Sequence, residues 1–393
     1  MKTVVLCGAG GYGQVYAEEL LKADSTDIKW VGTVEPNPDR VKIKSEIDNK
    51  GIPWFPTLED FYQNNSADIC IVSSPIAFHK PQSVLALRNG SNVLCEKPVT
   101  ALPSEALEMI KARDESGKYL GIAYQWSYSR TVLKIKQDIS DGIYGKPIKL
   151  RTCVLWPRDT AYYKRGSGWA GRSKDSSGRW VLDSVANNAT AHYLHNMLFI
   201  LGEPQRSIMP DTVCATLMRA NPIEMYDTAF IIMKYKDVEI SFIATHAGDK
   251  FDKMLFNYEF ENGSITFSEE HNGFIGKLNN GTEINYGTPN EEPMCPIWKV
   301  IASLNYDDDI GFSCPIEAAI PHNHIMIAAL LSSPIYSFPK TENNGERYYV
   351  KGLDDLCIKC NDEIKLPDLD WAPGGKIISL NDQQILQYGT ALN

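Results

Sequence analysis

Thr3-Val-Val-Leu-Cys7 runs into Gly8-Ala9-Gly10-Gly11-Tyr12-Gly13 and then into Gln14-Val-Tyr-Ala-Glu-Glu-Leu-Leu-Lys22. The first run is short and β-rich, and Val15, Leu20 and Leu21 carry helical apolar spacing in the last. A G-x-G-x-x-G pattern says little alone. Set between a strand and a helix, it predicts a turn that cradles a phosphate. Gly8 and Gly10 let the backbone turn tightly and approach a pyrophosphate, with Gly11 and Tyr12 completing the turn. Gly13 lets the helix pack on the sheet, and the helix N-terminus turns its positive end to the anion.

The next strand, Ile28–Val34, ends in Glu35. An acid there can accept hydrogen bonds from both ribose hydroxyls of an adenosine and would repel a 2′-phosphate. The nearest arginine that could offset it is Arg40, so NAD is expected over NADP. Ala67–Ser73 is a buried strand leading into Ser74-Pro75-Ile-Ala-Phe-His79 and a helical stretch through Leu87. Asn92–Glu96 is another strand, Ser104–Ser116 is helical and Tyr119–Tyr124 extended. This alternation predicts an α/β unit with a doubly wound parallel sheet. Ser74 and Pro75 fall beside the expected cofactor cleft. His79 opens a helix there, as a structural residue or as a contact to phosphate or ribose. Glu96-Lys97-Pro98 closes a strand at the carboxyl end, where such sheets bind ligands. There the Lys97 ammonium can hydrogen-bond a substrate hydroxyl and stabilise an alkoxide. Pro98 stiffens the turn behind it and is a candidate for a cis bond.

At 393 residues the chain exceeds one compact core, so two domains are expected, 1–124 and 125–393. A net charge of −10 and the lack of a Lys/Arg-rich run exclude a phosphate-backbone-binding surface, so nucleic acid is not expected as a partner. No segment has the length of a membrane span, and several of the nine cysteines sit in apolar strands. Buried thiols in a cytoplasmic protein fit that pattern better than disulfides. Cys357-Ile-Lys-Cys360 has the spacing of half a zinc site, but no second pair stands near it, and no metal is expected.

From Lys146 the texture changes. Pro147–Leu155, Ala229–Tyr235, Val238–Thr245, Leu255–Glu261 and Ser264–Ser268 look extended, and Asn262-Gly263 and Asn280-Gly281 signal hairpins. They predict an α+β unit with a large, mainly antiparallel open sheet and helices on a single face. The loop Trp156–Trp169 mixes flat rings with donors, including Arg158, Tyr163 and Trp169. Such a mixture suits a sugar or polyol. The stretch Val181–Leu201 predicts a helix stopped by Gly202, with Asn188, His192 and His195 on one face. His192 can exchange a proton near neutral pH there. A metal held by His192 and His195 is conceivable, but no acid completes that face.

In order and spacing, Gly8–Gly13, Ser74-Pro75-x-x-x-His79, Glu96-Lys97-Pro98, Gly142-Ile-Tyr-Gly145, and His192 ten residues before Gly202 resemble the Gfo/Idh/MocA oxidoreductases. The likeness runs from Thr3 to about Ser332. It implies an N-terminal Rossmann domain, a C-terminal sheet that often mediates homo-oligomers, and nicotinamide-dependent chemistry on a sugar or polyol hydroxyl. It makes Lys97 the catalytic lysine and His192 the catalytic histidine. The family's usual Asp four residues before the histidine is Asn188 here, its Gly is Thr190, and its later Asp is His195. Asn188 can orient a hydroxyl but cannot take a proton, which leaves His192 the base, aided by Tyr163 or Asp183.

The expected function is oxidation or reduction of a secondary hydroxyl of a sugar or glycoside, giving a keto-sugar where a ring carbon reacts. Substrate contacts would come from Lys97, Tyr163, Arg158, Trp169, Asn188, His192 and His195. One alternative oxidises only transiently, to let a glycosidic group be eliminated. Another is a catalytically silent dinucleotide-binding sensor, a reading that Asn188 favours and that Lys97 and His192 oppose.

Overall fold

The computed structural model of the chain describes residues 1–23, 28–165, 168–268, 270, 272–290, 296–306 and 309–390. They group into two compact units, Met1–Tyr128 with Glu291–Ile320, and Ser129–Asn290 with Pro321–Asn393.

The first unit is built on β1 (Lys2–Cys7), β2 (Ile28–Val34), β3 (Trp54–Phe55), β4 (Ile69–Val72), β5 (Asn92–Cys95) and β6 (Leu120–Ile122). Helices α1 (Gly13–Lys22), α2 (Lys44–Asn49), α3 (Leu58–Asn64), α4 (His79–Arg88) and α5 (Pro103–Ser116) alternate with them. The strands lie in the order β3-β2-β1-β4-β5-β6, every pair parallel. Chain order reverses between β1 and β4, and the carboxyl ends at such a switch point are where open α/β sheets take their ligand. Val4–Cys7, Ile69–Val72 and Val93–Cys95 are wholly buried, the mark of parallel strands covered on both faces. Thr57 caps α3 by accepting from the Asp60 N–H, and α5 stops at Gly117, whose φ is +65°. A later stretch returns to this sheet: Ile122 N–H donates to the Cys314 carbonyl at 2.9 Å, and Arg113 holds the Glu317 carboxylate. It covers the edge that β6 would otherwise expose.

The second unit carries β7 (Pro147–Leu155), β8 (Thr212–Arg219), β9 (Thr228–Tyr235), β10 (Val238–Thr245), β11 (Lys253–Phe260), β12 (Gly263–Ser268), β13 (Gly273–Leu278) and β14 (Glu283–Gly287). They run β14-β13-β12-β11-β7-β10-β9-β8, continued by Ile335–Ser337, with Ile378–Ser379 also on β8. Pairing is antiparallel except between β7 and β10 and between β8 and the segment Ile335–Ser337. Its helices include α6 (Arg130–Ser140), α7 (Thr160–Tyr163) and α8 (Ala191–Ile200).

Helices do not keep to a single face of this sheet. Thr152 and Tyr258 point towards α8, where Asn196 reaches the Tyr258 hydroxyl. The alternate residues Cys153, Leu155, Phe230 and Ile243 point the other way, into a cluster with Leu353, Cys357 and Cys360 of the helix Leu353–Glu363. The apolar half of that second face is thus covered by the chain's own C-terminal segment. The rest of it carries Asn257, Glu259, Ser264, Thr266, Lys277 and Glu283, which are polar, with Ile275 among them. The cysteine pair read as half a zinc site is core, and among the described residues no group of three His, Cys, Asp or Glu could hold a metal. Among them also, no helix is long and apolar enough to cross a membrane.

Leu353 is 2% exposed in this cluster. Leu353→Ala is expected to cost about 2–5 kcal/mol in urea unfolding. A loss under about 0.5 kcal/mol, the range of surface changes, would mean that this helix is not docked on the sheet.

Candidate functional site

In the first unit the glycine turn is closed behind and open in front. A Cβ at Gly8 would lie 2.8 Å from the Ser73 carbonyl oxygen, and one at Gly13 only 1.8 Å from that of Gly8. A Cβ at Gly10 would meet nothing within 4 Å. Gly8 and Gly11 have φ of +79° and +55°, a region that other residues rarely enter. Tyr12 precedes α1 without a side-chain cap, its hydroxyl donating to Gln125 at 2.9 Å. Beside the turn the Ser73 hydroxyl is buried, with no hydrogen-bond partner among the described residues. Sequence reasoning named Ser74 and Pro75 and passed over Ser73; its place at the end of β4, opposite the glycines, was the available signal.

Glu35 follows β2 and accepts the Asn37 N–H at 3.1 Å. Pro75 is exposed and Ser74 partly so. His79 is 1% exposed, with Nδ1 2.8 Å from the Pro98 carbonyl oxygen and Nε2 2.9 Å from that of Ser74. Burial lowers its pKa, and the neutral ring donates to one of the two carbonyls. Both nitrogens face main-chain carbonyls inside the fold, one of them donating, so the buried His79 is not the phosphate contact that was one of its two expected roles.

Glu96 is buried, and its carboxyl pKa is raised by that burial. The nearby Lys97 charge, the Tyr16 hydroxyl at 2.8 Å and the Lys97 N–H at 3.1 Å pull it back. Lys97 itself is partly exposed just past β5, and its bond to Pro98 is cis.

In the second unit the expected helix from Val181 is interrupted. Val181–Ser184 is not helical, and Leu182 has a φ of +50°. Val185–Ala189 is a π-turn and α8 begins only at Ala191. Ser184 starts the turn by accepting the Asn187 N–H, and Thr190 ends it with both its N–H and its hydroxyl on the Val185 carbonyl. The wide turn alters the phase on which the expected shared face rested. π-turns of this kind recur at functional sites.

Asn188 lies in the turn and donates from Nδ2 to Asp183 Oδ1 at 2.7 Å. Asp183, 2% exposed, also accepts the Gly171 N–H at 2.6 Å and stands 3.9 Å from Arg165. His192, on the first turn of α8, is half-buried. His195 is 1% exposed, with its ring stacked on Phe199 at 5.6 Å. Burial, then the charges of His322, His192 and Lys136, hold it well below the ordinary histidine pKa. His195 is therefore a core residue, and its expected substrate contact fails on burial.

Arg158, Tyr163 and Trp169 gather with residues that the sequence reading left aside. The Arg158 guanidinium lies 3.8 Å over Trp156 and 5.0 Å from the Tyr162 ring, and that of Arg165 lies 3.6 Å from Tyr162 and 5.1 Å from Trp169. Trp156, Tyr162 and Trp169 thus each lie against a guanidinium, while the Tyr163 ring lies edge-on to Tyr162. The Tyr163 hydroxyl meets His246 Nδ1 at 2.9 Å, and burial with the two arginine charges keeps that imidazole neutral. Sequence reasoning missed His246 because nothing in strand β10 marks its last residues as polar-facing.

Residues 2–124 match the family model described as the oxidoreductase family, NAD-binding Rossmann fold (GFO_IDH_MocA). An uncharacterised oxidoreductase of Streptococcus pneumoniae is 22% identical over 67% of the chain and 60% of its own length. The 1,5-anhydro-D-fructose reductase of Ensifer adhaerens is 27% identical over 37% and 41%. The chain thus spans less than two thirds of these curated relatives. The WlbA dehydrogenase of Bordetella pertussis, solved with NADH and UDP-GlcNAcA, is similar over 84% of this chain and 95% of its own. Its TM-score is 0.67 at 19% identity, a likeness of fold.

The cradle fits the family's cofactor. Gly10 turns an open flank outward, the N-terminus of α1 stands behind it, and Ser73 brings a buried hydroxyl without a described partner. Gly10→Val is expected to leave the melting temperature within about 2 °C while weakening NAD binding at least about tenfold in calorimetry. Gly13→Ala, by contrast, should lower the melting temperature.

The pKa of His79 lies below that of an unfolded histidine, so its contribution is present above about pH 6.5 and declines as acid protonates the unfolded chain first. The stability gap between the wild type and His79→Gln should therefore narrow by up to about 1.4 kcal/mol per pH unit below about pH 6.5. Denaturant melts at stepped pH check this, and a constant gap would show that His79 is charged in the fold.

Proposed function

We propose that the chain is an NAD-dependent oxidoreductase that oxidises, or in reverse reduces, a secondary hydroxyl of a sugar or glycoside. The observation that carries this reading is Lys97, partly exposed at the carboxyl end of β5 in a sheet whose glycine cradle fits a dinucleotide. The sugar chemistry in the name of the anhydrofructose relative and in the ligand of the WlbA complex supports the substrate class.

In this reading the Lys97 ammonium polarises the substrate oxygen and stabilises it as its proton leaves. His192 takes that proton. Its half-buried place on the first turn of α8, in contrast to the buried His79, His195 and His246, suits a group that must exchange with substrate. Asn188 orients the hydroxyl: its Nδ2 is committed to Asp183, which turns Oδ1 away from that carboxylate as an acceptor. When bound, NAD supplies the hydride acceptor. Glu35, with no arginine beside it, favours NAD over NADP. A homo-oligomer formed through the large sheet would use the polar half of its second face, since Leu353–Glu363 covers the apolar half.

The test is to mix the purified protein with NAD and a panel of sugars and follow the absorbance of the reduced cofactor. Lys97→Ala and His192→Ala should each lower kcat by about a hundredfold or more. Full activity retained in both variants would remove these residues from the mechanism.

A further inference from the structure

The wide turn that carries Asn188 is gripped from outside by a second helix. Within Val185–Ala189 the Val185 carbonyl accepts the Thr190 N–H, five residues on and not the usual four. The next carbonyl, that of the wholly buried Ala186, is met by His322: Nε2 lies 3.1 Å from its oxygen. A carbonyl can only accept, so this nitrogen carries the proton and donates it.

His322 belongs to the helix Ile316–Ser332 and is itself 0% exposed. An imidazole is a costly way to fill core volume, because a buried N–H must find an acceptor or lose its hydration for nothing. Here it has the Ala186 oxygen. Four residues on, on the same face of that helix, Met326 receives the Tyr226 hydroxyl at 3.7 Å, and the Tyr226 carbonyl accepts the Val185 N–H at 3.3 Å. The helix therefore holds two successive residues of the turn, Ala186 directly and Val185 by way of Tyr226. Ser184 and Thr190 shape the turn from within, whereas these contacts fix where it sits. Asn188 and His192 follow Ala186 after two and six residues, so a displacement of its carbonyl carries to both.

We propose that His322 is a positioning residue: its Nε2–H pins the Ala186 carbonyl and so sets the Asn188 amide and the His192 ring where the reaction needs them. It touches no substrate in this role. The catalytic consequence rests on the sugar-oxidoreductase reading, and the pinning itself does not.

Three variants separate the donor from the bulk. His322→Leu fills similar space without an N–H. His322→Gln brings an amide Nε2 close to the place of the imidazole Nε2, and His322→Asn carries the same amide one methylene short of it. Turnover is read with whichever of D-glucose, D-galactose, myo-inositol and methyl β-D-glucoside reduces NAD fastest. His322→Leu and His322→Asn should each lower kcat at least about tenfold, since misplacement by about 1 Å can cost a hundredfold. Their calorimetric affinity for NAD should not change. His322→Gln should return kcat to within about threefold of the wild type. Hydrogen–deuterium exchange over residues 184–193, which needs no substrate, should run at least about tenfold faster in His322→Leu and His322→Asn and slow again in His322→Gln. If His322→Leu does not fold, the comparison of His322→Asn with His322→Gln decides alone. A wild-type kcat in His322→Asn, a His322→Gln protein no better than His322→Asn, or exchange that is the same in every variant overturns the proposal. A wild type that turns over none of the four compounds counts against the oxidoreductase reading instead, and the exchange pattern then upholds or overturns the pinning without it.

Discussion

The turn between β1 and α1 closes because position 13 carries only hydrogen: a methyl there would stand 1.8 Å from the carbonyl oxygen of Gly8. That single tolerance sets where α1 lies, and much of the first unit follows. With α1 in place, Tyr16 is wholly buried and its hydroxyl reaches Glu96. Glu96 in turn receives the Lys97 N–H, so the strand end that presents the lysine is tied to the helix that presents the cradle. His79 adds a second tie: its buried ring lies between the carbonyls of Ser74 and Pro98 and donates to one of them. The two motifs lie some eighty residues apart in sequence but form one hydrogen-bonded network.

What was legible in the sequence is what local chemistry decides. The glycine turn, the alternation of strand and helix through Ile122, and the hairpins at Asn262-Gly263 and Asn280-Gly281 each follow from periodicity or from turn residues. What was not legible depends on partners distant in the chain. The pairing of Ile122 with Cys314 is edge protection, and no residue in either segment announces the other. The docking of Leu353–Glu363 needs the odd-numbered face of β7 as a partner, and a strand pattern that alternates says only that both faces are used. The π-turn is set by the hydroxyl of Thr190 returning to Val185, a side-chain event that helical periodicity does not register.

The histidines show the same limit within the site. His79, His192, His195 and His246 are one residue type with one intrinsic pKa, and three of them are kept neutral by burial. Of these four, His192 alone is half-buried and not wholly buried. Spacing placed His192 and His195 on a shared face, but it could not tell which side of that face meets Phe199. Desolvation, not position in a motif, separates a histidine that can carry protons from one that packs.

Asn188, where the resembled family usually has an acid, follows from Asp183. The two side chains meet at 2.7 Å, a distance at which a second carboxylate would have to stay protonated or drive Asp183 to do so. Asp183 is already engaged as an acceptor: it anchors the Gly171 N–H and faces Arg165. With the anion fixed at 183, the neighbouring position must be a donor towards it, and an amide satisfies this while turning its oxygen in the opposite direction. The negative charge is thereby kept one hydrogen bond behind the group that would meet substrate. The amide loses the power to take a proton and retains the power to orient one, which in the proposed reaction leaves proton exchange to His192.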